Sequence, residues 1–428
     1  MLLRGETLKK EKERTDKKII QNVAAQKRHQ GAALLRKSHT INNAIRLRLV
    51  MDGAIVGIVA GFVALAYRFI LSKLEVFRNV MLMQREPWVW VVWIVMLAVM
   101  GWICAMLLRW APLSGGSGIP QVQGEIFGYF KMRPWRVLMS KFFGGGLANF
   151  AGLSLGREGP SIQIGACCGK IVSQRLKRGI REEKLLLAAG SAAGLAAAFG
   201  APIAGTIFVL EEVHKQFNPL AMVPSMVAAM VADFIGKNIF GLEPIFAFAK
   251  RATHALPLQH YYLILILGIV AGLFGVLFHK GLLKFQDIYK IPKKFHPLIA
   301  FLGAGGGAAL LPGILGGGQG ILEFLATIHA PFYFLLLILA GKLVFTWFCY
   351  GSGVQGGIFL PILAMGGVLG LIFAQAIGAA GILPLIYKTH FAIIAMAGVL
   401  SAVVRSPILA IILMTEMTGS FMNVLPIG

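Results

Sequence analysis

Stretches of about twenty apolar residues recur along the chain from residue 50 onward, and no other feature narrows the possible folds as much. The clearest are Val50–Leu71 and Trp88–Leu108. Others lie near Leu185–Leu210, Pro219–Ile235, Tyr261–Leu283, Pro297–Leu311, Pro331–Tyr350, Gly357–Ala379 and Phe391–Met417. Such a run is what a helix needs to cross the hydrocarbon of a bilayer, where no water is present to satisfy an open backbone. Composition agrees. Hydrophobic residues make up 57% of the 428 positions and charged residues 14%, against roughly 45–50% and about 25% in soluble domains. The chain is read as an all-α polytopic membrane protein. Several spans are short or cut by glycine and proline, which predicts tilted and broken helices rather than plain spanning rods.

A net charge of +23 raises the possibility of a nucleic-acid partner, but the distribution of charge argues otherwise. Residues 1–48 hold a basic cluster running from Lys9 and Lys10 to Arg46 and Arg48, directly before the first span. The positive-inside rule makes this a cytoplasmic N-terminal tail, able to touch anionic lipid. It is too long and too polar at its start for a cleaved signal peptide, and Lys9–Gln26 has the composition of a polar surface helix. Cys104, Cys167, Cys168 and Cys349 lie in or beside apolar segments without metal-ligand spacing, and no two histidines share a helix face at HxxxH spacing. No metal, cofactor or disulfide framework is expected.

Three landmarks repeat. Gly116-Ser117-Gly118-Ile119 returns as Gly318-Gln319-Gly320-Ile321. Gly156, Pro160, Gly165 and Gly169 return as Gly357, Pro361, Gly366 and Gly370. Pro202 with Glu211 returns as Pro407 with Glu416. The shifts are 202, 201 and 205 positions, in one order. The chain therefore reads as the tail 1–48, a first membrane repeat over 49–250 and a second over 251–428. Repeats of this kind in transporters are often inverted, with the ligand at the midplane between them and discontinuous helices turning their N-termini on it.

Within that frame, Gly115-Gly116-Ser117-Gly118-Ile119-Pro120 reads as a helix start. Pro120 suits its first turn, Ser117 its N-cap, and the free N–H groups would make an anion site, with an ordinary capped helix start as the competing reading. Gly156-Arg157-Glu158-Gly159-Pro160 is a second such start, with Pro160 near the first helical position. Gly356-Gly357-Ile358-Phe359-Leu360-Pro361 is the third. Glu158 brings a carboxylate to one of these positive ends, inside apolar surroundings, where an ionisable group signals function. A carboxylate and an anion compete for such a place, so Glu158 reads as a gate that opens on protonation. A salt bridge to Arg157, or a capping role, is the competing reading. Arg157 reads as a brace for the loop. Glu211 and Glu212 end an apolar run, either as a solvated helix end or, for the functional reading, as a proton entry point. Glu416 reads as structural.

Taken together, GSGIP at 116–120, GREGP at 156–160 and GGIFLP at 356–361 resemble the CLC family of chloride channels and chloride/proton antiporters. GLAAAFGAPIAGTIFVLEE at 194–212 and RSPILAIILMTEMT at 405–418 extend the resemblance to about residues 45–420. It implies two inverted halves of short, broken helices, a homodimer, and one anion pathway per subunit. It makes Ser117 the hydroxyl ligand of a central chloride and Ile358 and Phe359 its backbone donors, with Gly118 and Gly357 beside it. Gly116, Pro120, Gly156, Arg157, Gly159, Pro160 and Pro361 shape the loops. Glu158 becomes the external gate and proton carrier, and Glu212 the internal proton-transfer glutamate. An acid at 212 favours antiport, with a passive chloride channel as the alternative. Serine at 117 argues for chloride, since nitrate-preferring relatives tend to carry proline there and fluoride exporters often methionine.

Two departures stand out. The family continues through further helices after the segment ending at Gly428, and the last of them supplies a tyrosine hydroxyl to the central chloride. Tyr350 and Tyr387 are judged misplaced for that role, and dimerisation and inner closure are put in question. Gln121 and Gln123 stand where many exchangers have acids, which bears on the internal proton route. An intramembrane enzyme is disfavoured, since no nucleophile–base pair, metal cluster or phosphate loop is seen. The absence of a regulatory C-terminal pair of domains suggests a prokaryotic type, in the bacterial inner membrane.

Overall fold

The computed structural model describes residues 47–84, 86–251, 256–289, 292–328 and 330–419. The expectations for the basic tail before residue 47, including Lys9–Gln26, and for the segment after Gly419 lie outside these residues. The described chain is helical throughout. The first half holds α1 (Leu47–Met83), α2 (Pro87–Trp110), α3 (Ile119–Phe127), α4 (Pro134–Phe150), α5 (Glu158–Arg175), α6 (Ile180–Phe199), α7 (Pro202–Phe208) and α8 (Pro219–Phe240). The second holds α9 (Tyr262–Ile288), α10 (His296–Leu310), α11 (Gln319–Thr327), α12 (Phe332–Gly351), α13 (Phe359–Ala379), α14 (Lys388–Val404) and α15 (Pro407–Thr418). Seven helices, α1, α2, α8, α9, α12, α13 and α14, are long and apolar enough to cross a membrane.

Two apolar runs that read as single spans are each two helices. Leu185–Leu210 breaks where Gly200 takes a left-handed conformation (φ 61°) before Pro202. Phe391–Met417 breaks the same way at Arg405 (φ 63°) before Pro407. Proline cannot continue the preceding ladder but is at ease in the first turn of the next helix. A five-residue π-turn at Val209–Val213 then continues α7.

The halves are related by inverted topology, and the hydrogen bonds show the exchange. Gly116 N–H donates to Gly353 O (3.1 Å) while Gly316 N–H donates to Gly152 O (2.9 Å). Glu416 accepts from Ile203 and Ala204 N–H (3.0 and 2.7 Å), capping α7. Glu211 accepts from Ile408 and Leu409 N–H (3.3 and 2.7 Å), capping α15. Each half thus closes a helix end of the other. Helices α5 and α13, equivalent in the two repeats, meet N-terminus to N-terminus and run apart, as inverted halves require.

Close crossings follow from small residues. A Cβ on Gly165 would lie 2.1 Å from Gly190 O, and one on Gly190 would lie 2.1 Å from Gly165 O, so α5 and α6 touch backbone to backbone. In the second half Gly370 meets Phe391 O in the same way (2.2 Å), seating α13 on α14.

Candidate functional site

The site is assembled by backbone before any side chain acts. Gly156 and Gly357 exchange both hydrogen bonds (2.7 and 2.8 Å) in a single antiparallel bridge. Gly356 N–H donates to Gly116 O (3.0 Å). These contacts pull together the starts of α3, α5 and α13. The crowding explains the glycines. A Cβ on Gly159 would lie 2.7 Å from Ser117 O, and one on Gly156 would overlap the Glu158 carboxylate.

Helix α3 is capped by Gly118, in a left-handed conformation (φ 93°). Ser117 therefore stands one residue before the cap rather than at it. Its buried hydroxyl accepts from Ile119 N–H (3.3 Å), and Pro120 is the second helical residue. The loop is held from behind. The buried Lys141 ammonium donates to Ser114 O and Gly116 O, both at 2.7 Å, and Gln163 donates to Leu113 O (2.7 Å). Lys342 repeats the device in the second half, on Ile314 O (3.0 Å) and Gly316 O (2.6 Å). Neither lysine was singled out from sequence. The signal was there, because 141 and 342 differ by 201, the shift of the glycine landmarks.

Arg157 is the N-cap of α5 and Glu158 its first residue, with Pro160 third rather than first. Ile358 and Phe359 hold the equivalent positions on α13, and Pro361 is again third. Glu158 is fully buried. Its Oε1 accepts from Leu360 N–H (3.0 Å). Oε2 has no protein partner. No ion pair joins Glu158 to Arg157 among the described residues, and the Arg157 Nε is buried without a partner. The carboxylate thus takes a helix N-terminal donor of the second half, which stabilises negative charge.

Glu212 lies beside the middle of α3. Gln123 Nε2 donates to Glu212 O (2.7 Å) and to Oε1 (3.2 Å), and Ser406 Oγ donates to Oε2 (3.0 Å). Gln123 is four residues beyond Ile119, the first residue of α3, roughly 6 Å along the helix axis at about 1.5 Å per residue. The π-turn separates the adjacent acids, sending Glu211 to cap α15 and Glu212 toward α3, so Glu211 is not a solvated helix end. Gln121 instead donates to Gly115 O (3.0 Å).

Tyr350 stands in the last turn of α12, partly buried against both large apolar clusters of the bundle. Tyr387 lies elsewhere, its ring beside His390.

An inverted repeat whose broken helices meet N-terminus to N-terminus in an apolar bundle is the architecture of ion-transporting membrane proteins, and that class is where fold and site put the chain. A family model described as voltage gated chloride channel matches residues 96–428. The H(+)/Cl(-) exchange transporter ClcA of Cronobacter sakazakii is 36% identical over 395 residues, covering 89% of this chain and 84% of the relative. The transporter of the same name from Vibrio parahaemolyticus matches with the same identity and coverage. A crystal structure of a slow cyanobacterial Cl-/H+ antiporter shares the fold at a TM-score of 0.84 and 29% identity, over 89% of this chain and 91% of that one. That of a CLC-type fluoride/proton antiporter shares it at a TM-score of 0.75 and 24% identity, over 89% and 92%. The chain belongs to the voltage-gated chloride channel family, the CLC family.

Proposed function

We propose that this protein exchanges chloride for protons across a bacterial cell membrane, with its N-terminus in the cytoplasm. One observation carries the reading. Glu158, fully buried, sets its carboxylate on the Leu360 N–H at the meeting point of two helix starts, where an anion would also be held. The exchange relatives named above support the choice of ions. Chloride binds between the Ser117 hydroxyl and the backbone N–H groups of Ile358 and Phe359, with Gly118 and Gly357 allowing close approach. Ionised Glu158 blocks the path. Protonated, it gives up the helix-end donors and turns outward, and an anion takes its place. Protons reach it from the cytoplasmic side by way of Glu212, which Gln123 and Ser406 hold beside the middle of α3. No resident metal or cofactor enters this scheme. The chain works as a homodimer with one pathway per subunit.

Purified protein in liposomes, under an imposed chloride gradient with the voltage clamped by an ionophore, tests this. Uphill proton movement is the expected result. Glu158→Gln cannot ionise, so it should abolish proton movement and leave passive chloride flux. Chloride flux without proton movement in the native protein would instead establish a passive channel.

A further inference from the structure

The exchange scheme makes no use of a basic cavity at the end of α2. It measures about 230 Å³, and Trp110, Pro112, Leu113, Lys131, Arg133 and Arg136 line it. Among the described residues, no acid lines it and none of the three cations is in an ion pair. Glu125, the nearest acid in sequence, is buried and engaged by Lys170 and the Met132 N–H. Arg136 lies over the Trp110 ring instead (5.9 Å). Arg133 is also the N-cap of α4, and no side chain caps that helix, so its first N–H groups stay open beside the cations. Helices α1 and α2 are consecutive spans, so the end of α2 returns to the membrane face on which α1 starts. Arg178 marks that face, donating to both carboxylate oxygens of Asp52 in the second turn of α1 (2.8 and 2.9 Å).

Basic residues collect on one face of most membrane proteins, and that bias asks for no pocket. Here three exposed cations line one concavity at an open helix start, an arrangement that suits a phosphate. The surroundings choose its carrier. Trp110 and Trp135 are exposed there, as aromatic residues are at the level of lipid headgroups. Ile103 and Met106, also exposed, share the Trp110 face of α2. An apolar strip therefore leads from the cavity along the hydrocarbon, where acyl chains would lie. We propose that this cavity binds the phosphate of an anionic phospholipid through Lys131, Arg133, Arg136 and the start of α4, with the acyl chains on that strip. A soluble phosphate ester offers the same headgroup chemistry but leaves the strip unused. Neither Ser117 nor Glu158 takes part, so the site stands independently of the exchange reading.

Native mass spectrometry of the purified protein in a nonionic detergent, titrated with dioleoylphosphatidylglycerol, tests this. A basic side chain at a membrane surface is worth about fivefold in affinity, so Arg136→Gln should weaken binding about fivefold and the triple variant Lys131→Gln/Arg133→Gln/Arg136→Gln roughly 100-fold. A second triple variant, Arg175→Gln/Lys177→Gln/Arg181→Gln, removes the same charge from exposed residues that flank Arg178 on the same face, and should leave binding unchanged. Equal losses in the two triples would show that the lipid answers to the net charge of the face, and would overturn the site, as would no loss in the first. Dioleoylphosphatidylcholine should bind far more weakly than the anionic lipid, and equal binding of the two would remove the role of the cations. Inorganic phosphate, added at the same concentration, should not displace the lipid. Displacement would make a soluble phosphate the ligand and overturn the lipid assignment. Should the first triple fail to assemble, Arg136→Gln alone is read against Arg181→Gln in the same way.

Discussion

Glu158 and Glu212 are both carboxylates, yet their surroundings differ. Glu158 is held by the backbone N–H of Leu360, Glu212 by the side chains of Gln123 and Ser406. Replacing Glu212 with Gln should therefore stop proton movement while sparing chloride flux in the liposome assay. Flux of both ions at native rates would remove Glu212 from the proton route. His214, in the turn between α7 and α8, offers a separate test. Burial pushes its pKa below the ordinary value, and its Nε2 has no partner. A histidine with a lowered folded-state pKa gives stability above its unfolded pKa, and that stability is lost as pH falls. Melting between about pH 7.5 and about pH 5.5 should drop more in the native protein than in His214→Gln. At this scale much of the site was legible, because Ser117, Glu158 and the glycines around them sit in short motifs with local geometry. Lys141 and Gln163 were not, because their partners lie 25 to 50 positions away in sequence and only the packing of the first half brings them together.

The helices were legible as apolar runs, and the repeat as shifted glycines and prolines. The breaks at Gly200 and Arg405 were not read from the runs, because hydropathy is continuous across them and only the proline two residues on marks the new start. The reciprocal caps lay hidden as two acids at equivalent positions. Glu211→Ala and Glu416→Ala should each cost about 1 kcal/mol, within roughly 0.5–2, measured by thermal unfolding in detergent. Similar losses for the two are expected, since each frees two N–H groups on the opposite half's helix. A change in neither would mean that the helix ends find other acceptors. At the crossing of α5 and α6, Gly165→Leu should prevent assembly outright, because the contact there is with backbone. A monodisperse, folded protein from that variant would contradict the crossing.

As a whole molecule, the protein should be more stable when its anion is bound. At a chloride concentration about 100-fold above the dissociation constant the folded state gains about 2.7 kcal/mol, so it should melt later in chloride than in a large inert anion. Ser117→Ala should lose much of that gain, and an equal shift in both proteins would place the stabilising anion elsewhere. The exchanged caps also carry a consequence for how the protein is made. The N–H groups of Ile203 and Ala204 wait for a carboxylate 213 and 212 positions further along. At about 5–20 residues per second, the ribosome delivers Glu416 only after roughly 10–40 s. Through that interval the first half sits in the membrane with a helix end open to water, translocon or chaperone. Biogenesis therefore has an obligatory late step, in which α15 closes α7 and is itself closed by Glu211, made long before.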